Sequence, residues 1–439
     1  MIAIVVSRAD SASEHVGEHL LDATDWEEQT DDARSDAAGG GTVYRTDGFE
    51  LREFDELHLH LDGAAAAFDD PELLVFASRH SGETGPLLTA HFTGNFGSAE
   101  YGGEDDALAD ACPNAQAVLL DAFDRHAPEG YDVGMECTHH GPSDVGVPSM
   151  FVELGSDEAQ WADPDGARAV ADAILDLRDV DPYRDRTVVG FGGGHYVPRF
   201  ERIVRETEWA VGHVAGDWSL DVLGDPGEHR DVIRRAFEAS ATSLAVVEGD
   251  RPDLVAVVED LGYRVVSETW VRIVDGYDLD AVAELEGALS TVDDGLRLGE
   301  ADRSADWTVR ELPADLLSTA QGIDREATLD AVAARSVAYE TDHAGSRVGA
   351  RAAFPAGGYD ALVDDLCHLL ERRYDSVNRT ADAVVAEERT FDPSLASEAG
   401  VPEGPAFGRL AAGEPVEVDG RTVDPSEVEV ERVDRFDVA

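Results

Sequence analysis

Glu136 to Pro142 reads ECTHHGP: an acid, a thiol, a hydroxyl and two adjacent imidazoles in five consecutive residues, closed by a Gly-Pro pair that cannot continue a helix. Carboxylate, thiolate and imidazole all move protons near neutrality and all ligate metals. On an extended chain side chains alternate, so Glu136 and His140 would share one face while His139 and His140 point to opposite sides. One of the two histidines is then expected to be a ligand or base, the other a supporting or substrate-contacting group. No HExxH or CxxC spacing accompanies them.

Four further imidazoles stand in polar, Gly-rich surroundings: His80 in ASRHSGETG, His91 in AHFTGNFG, His195 in GFGGGHYVPRF and His213 in VGHVAGD. The other eight of the 14 histidines fall in ordinary contexts; His58 and His60 alternate along LHLHL as one half-buried face of an expected strand. Gly192, Gly193 and Gly194 follow a strand-like run and lack Cβ atoms, so their amides could approach an anion or a developing oxyanion. The stretch is neither a Walker A loop nor a dinucleotide-binding GxGxxG. From Arg178 to Arg205 six arginines face four acids, which makes a candidate phosphate-contacting surface or a set of surface ion pairs.

Apolar runs that read as strands surround these motifs: IAIVVS, LHLHL, LLVFAS, LLTAHF, DVGMEC, SMFVEL, TVVGF and SLAVVE. Between them, Pro113 opens a helical pattern through His126, and Asp163-Pro164 gives a capped start to another. Alternating strands and helices predict an α/β fold with a mostly parallel central sheet covered on both faces, whose functional loops gather at the carboxyl ends of the strands. Residues 24–41, acidic and ending in glycines, read as a solvated insertion loop. Residues 1–275 are expected to form one domain and 276–439 a mainly helical C-terminal appendage.

The 439-residue chain carries a formal charge of -59, and all 34 basic residues are arginine. With 43% hydrophobic residues it is too apolar for a disordered polyanion and reads as a folded protein adapted to high salt. At ~1 M salt the Debye length is ~3 Å, so the net charge does not exclude a nucleic-acid partner. Three scattered cysteines make no disulfide framework. MIAIVVSRAD lacks the marks of a signal peptide and no run is long enough to span a membrane, so a cytoplasmic monomer without membrane contact is expected.

Taken in order, ASRHS, HFTGNFGSAEYGG, ECTHHGPSDVGVPSMFVELGS, GFGGGHYVPRF and VGHV resemble the motif series of the archaeal and plant-type D-aminoacyl-tRNA deacylases, over about residues 1–270. The resemblance implies a three-layer α/β/α sandwich related to phosphorylase and peptidyl-tRNA hydrolase-like folds. It also implies tRNA as partner, Zn2+ as cofactor, and hydrolysis of the ester joining a D-amino acid to the tRNA 3′ end. By position the family pattern falls on His80, His91, Thr93, Gly94, Asn95, Gly102, Gly103, Glu136, Thr138, His139, His140, Gly141, Pro142, Glu153, the three glycines, His195, Tyr196 and His213. Arg199 stands where lysine is common, and Ser143 where threonine is.

From these positions His91, Glu136, His140 and His195 are the expected metal ligands, and Glu136, His139, His140 and His195 the expected catalytic groups. His80, Thr93, Gly94, Asn95, Gly192, Gly193, Gly194, Tyr196 and Arg199 are expected to hold the substrate. GVPEGPAFGRL is also similar, over a short span, to the closing segment of metal-dependent tRNA 3′-processing nucleases. Two other readings compete: a zinc peptidase or amidohydrolase that does not act on RNA, and a non-catalytic RNA-binding or assembly protein.

Overall fold

The computed structural model describes residues 1–302 and 306–438 and divides into two compact units, Met1–Asp275 and Gly276–Ala439. In the first, β1 (Ile2–Ser7), β2 (Glu27–Asp31), β3 (Gly41–Thr46), β4 (Phe49–Phe54), β5 (Leu73–Arg79), β6 (Leu87–His91), β7 (Asp132–Met135) and β8 (Ser149–Gly155) form one sheet. Its order is β2-β3-β4-β1-β5-β8-β6-β7. The centre, β4-β1-β5-β8, is parallel. The runs IAIVVS and SMFVELG are buried along their whole length, as strands covered on both faces must be. β6 pairs parallel with β7 but runs antiparallel to β8, and β2, β3 and β4 pair antiparallel, so the expected parallel pairing holds through the centre and is mixed with antiparallel pairs towards the edges.

A second sheet, wholly parallel, takes β9 (Thr187–Phe191), β10 (Ala210–Ala215), β11 (Leu244–Val247) and β12 (Arg264–Val265) in the order β10-β9-β11-β12. Helices start where their caps say. Pro113 occupies the first turn of Pro113–His126, and Asp163 accepts from the Asp165 amide at the head of Pro164–Leu175.

Two local expectations fail. LHLHL is not a strand, because His58–His60 is a single 3₁₀ turn. His58 turns inward to bond Ser13 Oγ at 3.2 Å and to set its edge against Phe76 and Phe151, and His60 stays exposed. The 24–41 segment is not all loop either: Glu27–Asp31 pairs with β3 as an edge strand, and Asp31 accepts from the buried Arg52 guanidinium at 2.7 Å. Acidic side chains on such an edge also discourage pairing with another chain.

The second unit is mixed α/β, where a mainly helical appendage was expected. β13 (Leu296–Leu298), β14 (Trp307–Glu311), β15 (Ala338–Asp342) and β16 (Arg347–Pro355) form an antiparallel sheet of order β13-β15-β16-β14. β17 (Ser376–Arg379), β18 (Ala383–Phe391), β19 (Val416–Val418), β20 (Arg421–Val423) and β21 (Glu429–Asp437) follow, as the sheet β17-β18-β21 and the hairpin β19-β20. Its core packs Leu316, Leu317, Phe354, Leu362, Leu366 and Phe436 from helices and strands alike. Among the described residues no helix is long and apolar enough to cross a membrane.

Candidate active site

β7 ends at Met135, and the three residues after it tie the two sheets of the first unit together. The Glu136 amide donates to Ala90 O of β6, the Cys137 amide to His195 O beyond β9, and the Thr138 amide to Val214 O of β10. The chain has therefore left strand geometry before it reaches the paired histidines. Side-chain alternation no longer applies, and the expectation that His139 and His140 point to opposite sides is corrected. Their rings lie 4.4 Å apart, and both face His91 at the end of β6, at 4.3 Å and 4.6 Å between centroids.

Main-chain carbonyls set the aim of these three rings. Nδ1 of His91 lies 2.9 Å from Phe92 O, Nδ1 of His139 2.9 Å from Cys137 O, and Nδ1 of His140 2.9 Å from Gly141 O. A carbonyl only accepts, so each Nδ1 must carry a proton, and a ring that is neutral keeps its lone pair on Nε2. Ligand atoms of the three residues lie within 4.8 Å of one another. His91 Nε2 is fully buried without a hydrogen-bond partner, its nearest carboxylate oxygen being Glu153 Oε1 at 3.6 Å. Phe151 stacks flat on the His91 ring at 5.1 Å. An orphaned buried nitrogen costs free energy unless something fills the space it faces.

On the other side of His139 lies an acid-rich half. Glu136, fully buried, bonds His195 Nε2 at 2.5 Å and lies 3.1 Å from His80 Nδ1, and Glu153 lies 3.5 Å from the same His80 nitrogen. Tyr196 Oη sits 3.2 Å from His80 Nε2, and Cys137 Sγ 3.9 Å from His195 Nδ1. Cys137, His139 and His195 form a second group close enough to share an ion, and His80, Glu136 and Glu153 a third.

The two halves are electrostatically opposed. Burial, reinforced by His91 and His140, pushes the His139 imidazole well below its usual range; burial and His91 bring His140 down to about 4. Burial also disfavours charge on His80 and His195, but their hydrogen bonds outweigh it. Glu136 and Glu153 raise His80 to about 9, and contacts with Cys137 and Glu136 raise His195 to about 10. Glu136 stays a carboxylate against its burial because His195 and His80 bond it. Burial disfavours charge on His91 as well, but its contact with Glu153 outweighs it and raises that ring, so His139 and His140 are the neutral pair and His91 links them to a half built of imidazolium and carboxylate.

The remaining expected site residues divide. Gly192 and Gly193 have positive φ, and a Cβ at Gly192 would meet Glu248 O at 2.5 Å, so the turn requires glycine. Their amides are already used, by Ala215 O and by Asp217 Oδ1 at 3.0 Å, and so do not line an oxyanion site; Gly194 is open. Thr93 is buried, Gly94 N donates to His140 O, and Asn95 Nδ2 donates to Gly102 O and Glu104 O, so this run holds the 102–104 loop against the histidines. A Cβ on Gly141 would lie 2.4 Å from Gly102 C, so this approach of the two loops requires glycine at 141.

Arg199 and Arg202 both bond Glu268, and the other arginines between 178 and 205 likewise have acidic or carbonyl partners. Five of the six guanidiniums pair with a carboxylate and Arg184 bonds Asn114 Oδ1 and Glu208 O, so the stretch is largely a set of ion pairs. His213 donates from Nε2 to Ala109 O and accepts from Thr138 Oγ1, a wholly internal role. The expected ligands His91 and His140 belong together, with His139 as their companion; Glu136 and His195 lie on the acidic side. Sequence reasoning gave no role to Glu153 or Cys137, and nothing to Phe151, whose stacking no spacing could reveal.

A family model described as D-aminoacyl-tRNA deacylase matches residues 67–266. D-aminoacyl-tRNA deacylases of Halorubrum lacusprofundi and Natronomonas pharaonis are 59% and 57% identical, each over 100% of this chain and over 97% and 100% of the relative. One from Methanoregula boonei is 34% identical over 98% of this chain and 96% of its own length. The crystal structure of a conserved protein of unknown function superposes with a TM-score of 0.56 at 28% identity, over 62% of this chain and 96% of that one.

Proposed function

The chain belongs to the D-aminoacyl-tRNA deacylase family, and we propose that it hydrolyses the ester joining a D-amino acid to the 3′ end of tRNA, releasing free tRNA and the D-amino acid. Such a reaction removes misacylated tRNA and belongs in the cytoplasm with translation. Zinc is the proposed cofactor. The observation that carries this reading is the convergence of His91, His139 and His140, each with Nδ1 fixed on a carbonyl and one with an orphaned buried Nε2. A carbonyl that orients a ligating imidazole from behind is the usual support of a zinc site. Neutral His139 and His140 suit an ion, since a protonated imidazole cannot bind one.

His91, His139 and His140 would hold zinc, in place of the expected set that included Glu136 and His195. When bound, zinc supplies Lewis acidity, polarising a carbonyl and lowering the pKa of water. The chain's own proton chemistry falls to His195. Held in its charged form by Glu136, it carries a proton on a partly exposed ring beside the ion-binding half, suited to the departing ribose oxygen. Glu136 keeps that proton donor oriented, and Tyr196 fixes His80 on its far side.

Incubation with D-tyrosyl- and L-tyrosyl-tRNA in molar KCl, with and without a chelator, tests both parts. Chelator-sensitive release of the D-amino acid alone is expected. Equal hydrolysis of the L-ester, or none of either, would overturn the deacylase reading. Chelator-insensitive D-specific release would overturn zinc and leave the rest.

A further inference from the structure

Among the described residues six large hydrophobic side chains are exposed; two of them line a cleft with a member of the histidine cluster, and the backbone of a third lies next to it. Tyr101, 63% exposed, accepts the Gly141 amide through its carbonyl, next to His140. Trp218, 46% exposed, and Val222, 54% exposed, stand on the short helix Asp217–Leu223 that follows β10. Trp218 and Val222 line the same cleft as His139 and Ser98. An exposed indole is costly to leave in water, and this one lies beside the reacting centre.

Resting on the deacylase reading, we propose that Trp218 is a stacking platform for the terminal adenine of the tRNA 3′ end. Three observations favour the base over other occupants. The cleft's interior is about 10 Å³, room for no more than a water, so it cannot enclose an amino-acid side chain, whereas a flat base can lie across its rim. The scissile ester sits on the ribose of the last nucleotide, so that nucleotide's base is the part of the RNA held nearest to His139. And the arginines around the site are already paired with carboxylates, as Arg199, Arg202 and Arg251 are with Glu268, Glu268 and Asp217. Phosphate contacts weaken steeply with salt, while stacking of a base on an aromatic ring does not depend on charge. A chain of formal charge -59 gains most from the second kind of contact.

The test compares binding of one deacylated tRNA with an intact CCA end and the same tRNA trimmed to CC, in molar KCl, for the full-length wild type, Trp218→Ala and Trp218→Phe. The wild type should prefer the intact end by about tenfold, Trp218→Ala should bind both alike, and Trp218→Phe should keep most of the preference. With D-tyrosyl- and D-alanyl-tRNA, Trp218→Ala should raise KM equally for both esters and leave kcat unchanged. A wild type without the preference, or a Trp218→Ala variant that retains it, overturns the platform. So does a KM rise confined to the tyrosyl ester, which would place the amino-acid side chain on the indole. A wild type that prefers the intact end yet hydrolyses no D-ester supports the platform and removes the deacylase reading, so the two fail separately. Trp218 is half in solvent, and an unchanged unfolding midpoint in the alanine variant will separate lost stacking from lost structure.

Discussion

The two units bury different things. The first puts Asp10, Glu50, Arg52, His58, His80, His91, Glu136, Glu153 and His213 out of water, nine acid, arginine and histidine side chains at 5% exposure or less. Besides buried Tyr339 and Tyr374 and single buried oxygens of Ser290 and Glu388, the second, among its described residues, buries the three hydroxyls of Thr328, Ser336 and Thr341. Each of these donates to a carbonyl of its own unit. Its two histidines, His343 and His368, are exposed. Burying ionisable groups is costly unless each finds a partner or a task. In the first unit His80, His91, Glu136 and Glu153 lie at the candidate active site while Asp10, Glu50, Arg52, His58 and His213 are paired within the fold, and the second unit is organised for packing.

Substitutions sharpen the contrast. The largest effect is expected from His195→Ala, which should lower the single-turnover rate on D-aminoacyl-tRNA by a factor of about 10²–10⁴; because it also removes a partner of the buried Glu136, the unfolding midpoint should fall, and the rates are compared on protein shown to be fully folded. A near-normal rate would remove His195 from the chemistry. Phe354→Ala, in the core of the second unit, should cost ~3–5 kcal/mol in urea unfolding, and the same amount at about pH 7 and about pH 5. A strongly pH-dependent cost would reveal a titrating group in that unit and break the contrast.

Acid should act on the first unit. Burial holds His58 down to about 3 and His213 to about 4, so the folded state keeps both rings neutral while the unfolded chain protonates them near their ordinary value of ~6.5. Their contribution is complete above that value and is lost as the pH falls towards 4, at up to ~1.4 kcal/mol per pH unit for each ring. Hydrogen exchange followed segment by segment should show the first unit loosening first; simultaneous loosening would contradict the assignment. The smallest effect belongs to Ser336→Ala, which removes one hydroxyl bond to Val332 O and should cost about 1 kcal/mol at any of these pH values, measured by urea unfolding.

The legible features were those written in local pattern. The apolar runs of β1, β5, β8 and β9, and the helices opened by Pro113 and Pro164, follow from hydrophobic continuity and cap chemistry alone. The family, too, could be read from ordered motifs. The facing of His139 and His140 could not, because it depends on three amides of residues 136–138 finding acceptors on two different sheets. β16, β18 and β21 were missed since EVERVDRFD and its neighbours are half exposed, and polar alternation beside strong helical patterns conceals a strand. β2 was missed because EEQTD carries no apolar face at all and is recruited by backbone pairing with β3.

The groups that aim His91 and His139 are the peptide oxygens of Phe92 and Cys137, present whatever side chain stands at either position. No single codon change can delete them. Drift at 92 or 137 would alter what packs nearby while both rings kept their bearing, so this part of the site is insured against mutation by being built from backbone.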